Sequence, residues 1–225
     1  MGMREVVKAE EGEIFDIELE ESLLEANRRL AEANRALLDR YGVRAIDIMG
    51  SVGSGKTSLI SHLVASLRDR YRIAYIAGDL TTTIDADLIA QHGIPVVQVN
   101  TGRECHLDAN LVAKALRRLD LARTDLIFIE NVGNLICPAE FPLGSHERLV
   151  VVSVTEGPYV VVKHPYIFME ADLAVVNKVD LAEAMGVDVG ALEEAIRAVN
   201  PAIEVVRTCC RTGEGVEEVA RALGL

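Results

Sequence analysis

The stretch "GSVGSGKT", Gly50 to Thr57, decides how the rest of the chain is read. It follows the apolar run "VRAIDIM" and precedes the helical pattern "SLISHLVASLRDR", so a glycine-rich turn joins a buried strand to a helix. G-x-x-x-x-G-K-T in that setting is a phosphate-binding loop. Its glycines let the backbone curl until successive N–H groups point inward, and the helix N-terminus adds positive potential where phosphates sit. Gly50, Ser51, Val52, Gly53, Ser54, Gly55 and Ser58 are expected to form the cradle. Lys56 is expected to reach the β- and γ-phosphates, and the Thr57 hydroxyl to hold Mg²⁺. The competing reading is a glycine-rich turn with an accidental lysine.

Outward from this loop, the runs "VRAIDIM", "RIAYIAG", "IPVVQV", "DLIFIE", "RLVVVSV", "LAVVNK" and "IEVVRT" alternate with helical patterns. Strands this uniformly apolar are buried on both faces, which predicts an α/β fold with a mainly parallel seven-stranded sheet and helices on both sides. With the phosphate loop, this is a P-loop NTPase. Ahead of it, Leu19, Leu23, Leu30, Leu37 and Tyr41 recur at helical steps from Ile17 to Tyr41, a packing or partner face on an amphipathic helix ending at Gly42. The division expected is 1–42, a tail and that helix, and 43–225, the nucleotide-binding domain. No internal repeat, low-complexity tract or linker is read.

The 225 residues carry a formal net charge of −12, which disfavours nonspecific contact with nucleic acid or anionic lipid. No apolar run approaches the roughly 20 residues of a membrane span, and the acidic N-terminus lacks the hydrophobic segment of a signal peptide, so a cytoplasmic protein is expected. Cysteines 105, 137, 209 and 210 show no disulfide spacing. They are read as buried, catalytic or metal-binding.

In an open α/β sheet, ligands bind over the carboxyl ends of the strands, and every further motif begins there. Asp79 ends "RIAYIAGD" and Glu130 ends "DLIFIE"; both are candidate magnesium and catalytic carboxylates with Lys56 and Thr57. Asp85, in "TTTIDAD", either joins them or caps the next helix, and ranks below them. "NKVD", Asn177 to Asp180, follows another strand and matches the guanine signature: two donors on the guanine edge pair with the two oxygens of Asp180. Asn177 ties this loop to the P-loop or accepts the base, and the stem of Lys178 lies along the ring. "TCCRTGEG" begins at the end of the last strand, so Thr208, Cys209 and Cys210 belong to a loop that closes over the base.

"TGRECHLDAN" and "ENVGNLICPAEF" place Cys105, His106 and Cys137 on loops at one edge of the sheet. Two thiolates and an imidazole suit Zn²⁺ or Ni²⁺ and not Mg²⁺. Water or a second chain could complete the shell. On spacing alone the alternative stays open: both cysteines packed as small hydrophobes, and His106 capping a helix with Asp108.

Taken in order, "GSVGSGKTSL", "TGRECHLDAN", "ENVGNLICP", "SVTEG", "NKVDL" and "RTGEG" resemble the hydrogenase nickel-incorporation HypB family over residues 40 to 225. The resemblance implies a GTPase, binding GTP or GDP with Mg²⁺, that assists nickel insertion into nickel–iron hydrogenase. It implies a homodimer promoted by GTP, with Ni²⁺ or Zn²⁺ at the interface on Cys105, His106 and Cys137. The implied partners are other hydrogenase maturation proteins and the hydrogenase large-subunit precursor. Lys163, in "VVVKHP", matches a lysine implied to approach the nucleotide of the other protomer, although the preceding "PYVV" departs from the family form. The N-terminus carries neither the cysteine-rich motif nor the histidine-rich tract of some members. The alternatives are a urease-type nickel-insertion GTPase and a metal-binding interaction module in which GTP is mainly structural.

Overall fold

The computed structural model describes residues 17–102 and 104–225, with side chains from residue 22 onward. The tail expected over residues 1–16 and the side chain of Leu19 lie outside the described residues.

The seven apolar runs form seven strands: β1 (Arg44–Gly50), β2 (Ile73–Asp79), β3 (Val96–Asn100), β4 (Leu126–Glu130), β5 (Glu147–Ser153), β6 (Leu173–Asn177) and β7 (Glu204–Thr208). They make one sheet in the order β3-β2-β4-β1-β5-β6-β7. Every neighbouring pair is parallel. The polar interruptions in "VVQVN" and "EVVRT" mark the two edge strands, whereas β4 and β6 are buried along their whole length. The connection after β1 runs toward β2 and the one after β4 crosses to β5 on the other side of β1, so the strand order reverses there and opens a crevice over the carboxyl ends.

Side chains alternate across each strand, so each face needs its own cover. On one face α2 (Lys56–Leu67), α3 (Ile84–Ala90) and α10 (Val216–Ala222) pack with Ile46, Ile48, Tyr75 and Phe128. On the other, α1 (Ile17–Tyr41) and α4 (Ala109–Leu116) cover Ala45, Ala74, Ile76 and Ile127. Beside them α6 (Val160–Lys163), α7 (Pro165–Met169) and α9 (Val189–Val199) cover Val150, Val152 and Val176. Two short helices complete the chain, α5 (Cys137–Glu140) and α8 (Ala182–Met185).

The face of α1 differs from the expected one. Leu23 and Leu30 are 58% and 40% exposed and Tyr41 is exposed, while Asn27, Ala31, Asn34 and Leu38 are buried. Leu37 packs partly against the core. The buried positions sit at steps of four, three and four, the spacing of one helical stripe. The sequence carries that stripe as a seven-residue repeat, "EANR" at 25–28 and again at 32–35. The repeat was missed because asparagine does not count as an apolar position. Gly144 (φ +91°) meets this face so closely that a Cβ would lie 2.3 Å from the Ala31 carbonyl.

Candidate functional site

The P-loop closes as its letters require. Gly55, left-handed at φ 105°, turns the chain into α2 and leaves room for Asn177, whose amide a Cβ would strike at 2.1 Å. The Lys56 ammonium is curled back onto the loop, donating to the carbonyls of Gly50 (3.2 Å) and Ser51 (3.0 Å). Burial lowers its proton affinity, opposed by the negative charges of Glu130 and Asp85. The buried Ser54 hydroxyl has no protein partner. Val52, Gly53, Ser58 and Lys178 line a cavity of about 490 Å³ with Lys56, Thr57 and the carboxylates.

Thr57 Oγ1 lies 2.9 Å from an Asp85 oxygen and 2.8 Å from a Glu130 oxygen. A hydroxyl has a single proton to donate, so this all-oxygen cluster is better satisfied around a hard cation. Burial raises the Glu130 carboxyl, against the pull of Lys56. Tyr75, not foreseen in the sequence, fixes its other oxygen at 2.6 Å. Asp79 lines the same cavity, but its carboxylate accepts the N–H groups of Thr81 (2.9 Å) and Thr82 (2.7 Å). Burial raises that carboxyl, and the two amides outweigh it and hold it below its ordinary value. Asp85 thus joins Glu130 at Thr57, and Asp79, on the same cavity, organises its own loop. Asp85 is not a helix cap, because Thr83 occupies that position in α3.

Around the base loop, Asn177 donates to the Ser54 carbonyl (2.8 Å) and accepts from Thr208 Oγ1 and the Cys210 N–H, both at 3.1 Å. Three loops are thus joined through one side chain. Lys178, at φ 61°, reaches the Gly53 carbonyl at 2.6 Å. Asp180 accepts from the Cys209 thiol and the Arg211 guanidinium, both at 3.1 Å, which hold it below its ordinary value. Cys209 and Cys210 are buried in this loop. Lys163 is exposed on α6 and does not line the cavity.

The second cluster lies on the same sheet edge. The Cys105 and Cys137 sulfurs are 3.0 Å apart without a disulfide, and Cys105 Sγ is 3.9 Å from His106 Nδ1. Their ligand atoms all fall within 4.8 Å, the one such group of three among the described residues. Burial lowers the proton affinity of His106, favouring the neutral imidazole a metal needs, and its ring lies on Phe141 at 3.9 Å. Burial and the neighbouring Cys105 raise the Cys137 thiol, a cost that a bound cation relieves. Asp108, not His106, caps α4, accepting from the Leu111 N–H at 2.6 Å.

The two sites meet in "ENVGN". Asn131 accepts from the Leu107 N–H (3.0 Å) and donates to the buried Asp47 (3.2 Å). Asn134 donates its backbone N–H to the Gly50 carbonyl (3.0 Å), the same carbonyl that Lys56 holds, and its side-chain amide to the Cys105 carbonyl (3.2 Å).

The fold and its phosphate loop agree with comparisons to known proteins. Residues 44–207 match the family model for the CobW/HypB/UreG nucleotide-binding domain. The probable hydrogenase maturation factor HypB of Methanocaldococcus jannaschii is 52% identical over 203 residues, covering 90% of this chain and 92% of that protein. This chain belongs to the HypB family of hydrogenase maturation factors. Among solved HypB structures, the Archaeoglobus fulgidus protein superposes with a TM-score of 0.83 at 44% identity, covering 88% of this chain and 97% of that one. The Helicobacter pylori HypB, solved in complex with nickel, gives 0.83 at 31% identity, covering 88% and 93%. No helix among the described residues is long and apolar enough to cross a membrane.

Proposed function

We propose that this protein binds and hydrolyses GTP and uses the nucleotide cycle to deliver nickel for the maturation of nickel–iron hydrogenase. The observation that carries the reading is the Cys105–His106–Cys137 cluster, joined through Asn134 to the carbonyl that Lys56 holds. On this reading Lys56 leaves the Gly50 and Ser51 carbonyls for the phosphate oxygens. Thr57, Asp85 and Glu130 hold Mg²⁺, with Asp79 shaping the adjoining loop. Bound there, Mg²⁺ neutralises charge on the phosphates. Asp180 gives up the Cys209 thiol and Arg211 to accept the two guanine donors.

The cargo, Ni²⁺ with Zn²⁺ as its competitor, sits on the two thiolates and the imidazole. A second copy of the chain completes the shell when GTP closes the dimer, which brings Lys163 toward the partner's nucleotide. The receivers are other maturation proteins and the hydrogenase large-subunit precursor, in the cytoplasm. Among the described residues, neither a water-orienting glutamine nor an arginine lines the cavity, so intrinsic turnover is expected at about 10⁻⁴ to 10⁻³ per second, like unassisted small GTPases.

The test is nickel content and mass in solution, with and without a nonhydrolysable GTP analogue, for the wild type and Cys105→Ala. Analogue-driven dimers that carry nickel, and lose it in Cys105→Ala, support the reading. Mass and metal indifferent to both nucleotide and mutation overturn it.

A further inference from the structure

The Cys105–His106 and Cys137 segments are far apart in sequence and run off separate strand ends, where loops are ordinarily free to move. Something must hold their ligand atoms within reach of one ion. Asn27 of α1 accepts from the Ala109 N–H (2.8 Å), three residues beyond His106, and donates to the Pro142 carbonyl (2.9 Å), five beyond Cys137. One turn-pair further along the helix, Asn34 donates to the Ala109 carbonyl (2.8 Å) and the Leu143 carbonyl (3.0 Å). Each asparagine is buried, and each joins the two segments. Arg35 adds a contact to the Ser145 carbonyl. The close approach of Gly144 to Ala31 seats the second segment on the same stripe.

We infer that α1 is the bracket of the metal site: Asn27 and Asn34 are positioning residues that set the separation of the two ligand segments, and through it the affinity for nickel. The inference rests on the metal reading above and deepens it. Asn27 donates and accepts and Asn34 donates twice, so each fits backbone groups of fixed polarity and no apolar side chain of similar size replaces it. It follows that displacement of α1 from Ala109, Pro142 and Leu143 loosens the metal without any change to a ligand. The helix is then a handle on the site, with Leu23 and Leu30 lining a groove beside His106 and Phe141.

The experiment is a nickel titration of the full chain against a chromophoric chelator for wild type, Cys105→Ala, Asn27→Ala, Asn34→Ala, the double variant and Asn27→Asp. The thiolate-to-nickel charge-transfer absorption, the melting temperature of the metal-free protein and GTP turnover are recorded alongside. Each asparagine-to-alanine change is expected to weaken nickel binding about tenfold, toward a hundredfold for the double variant, as for other residues that orient metal ligands. The charge-transfer band should alter, with GTP turnover of the metal-free protein within about twofold of wild type. Asn27→Asp keeps the acceptor for Ala109 but sets a second acceptor against the Pro142 carbonyl, so it should restore none of the affinity lost in Asn27→Ala; the single variants carry the test even if the double variant does not fold. Wild-type affinity and spectrum in the single variants, whatever their melting temperatures, overturn the inference. Undiminished nickel binding in Cys105→Ala instead overturns the metal reading itself.

Discussion

The nucleotide pocket and the metal cluster occupy neighbouring stretches of one sheet edge, yet they are held in different ways. The nucleotide loops hold one another: Asn177 joins the P-loop to the loop after β7, and Lys178 reaches Gly53. The residues that give the site its chemistry also give it its shape. The candidate metal ligands share fewer such contacts, Asn134 to the Cys105 carbonyl and the Leu107 N–H to Asn131, and their segments are braced besides from outside, by α1 and by Asp47 through Asn131. A site that is its own scaffold keeps its geometry unless its own residues change. A site braced by distant elements can be adjusted by moving them, which suits a centre that must release what it binds.

The largest effect that would break this division comes from Lys56→Ala. Loss of a charged group at the phosphates should cut GTP turnover by about 10² to 10³, the range for removing one electrostatic contact to a transition state. Nickel affinity of the nucleotide-free protein should stay within about twofold. Single-turnover GTP assays beside chelator competition check both; a parallel fall in the two would show that the sites share a scaffold.

Next in size is the link itself. Asn134→Ala removes the contact to the Cys105 carbonyl while leaving the backbone N–H on Gly50. Coupling energies between sites run to about 1–3 kcal/mol. Any change in nickel affinity produced by a nonhydrolysable GTP analogue should therefore shrink by about 5- to 150-fold toward none in this variant. An unchanged nucleotide effect would route the coupling elsewhere.

The division also explains what the sequence discloses. The fold is legible because seven apolar runs admit few arrangements, and the nucleotide site because its geometry is written in contiguous motifs. Where a carboxylate turns is not written: Asp79 ends its strand as expected, but the amides of Thr81 and Thr82 capture it, and Asp85 takes the place at Thr57. The brace is less legible still. Asn27 and Asn34 read as surface until the seven-residue repeat places them on one stripe. Asp47 is a lone charge inside "AIDIM", a signal in itself, and its counterpart Arg148 opens another apolar run.

Asp47 supplies a smaller test. It is fully buried, 3.8 Å from Arg148, whose guanidinium also reaches the Pro138 and Ala139 carbonyls beside Cys137. Burial pushes its carboxyl from 3.8 up to about 6, against the opposing effects of Arg148 and Asn131. A carboxyl raised on folding is stabilised in its protonated form, so its contribution is full below about pH 4 and is lost as pH rises to about 6. The size is on the order of 3 kcal/mol. Denaturant midpoints of wild type and Asp47→Asn from pH 4 to 7 should therefore drift, with wild type losing ground as pH rises. A constant difference would mean that Asp47 keeps one charge state throughout and that the brace has no pH dependence from this pair.

The smallest effect lies at the edge of the α1 stripe. Leu23 and Leu30 recur at helical spacing and read as a packing or partner face, and the side chains that enter the core are Ala31 and Leu38, on one stripe with Asn27 and Asn34. Leu23 is the more exposed of the two leucines, so Leu23→Ala should shift stability by no more than about 0.5 kcal/mol. Thermal or urea unfolding of the metal-free protein measures this directly. A loss of about 2 kcal/mol or more, the cost of truncating a buried leucine, would mean that α1 is turned further onto its leucine edge than the contacts of Asn27 and Asn34 allow. Leu23 and Leu30 lie four residues before and three after Asn27, on the edge of the same helical stripe and beside His106 and Phe141, so this small measurement tests how α1 is rotated on the domain.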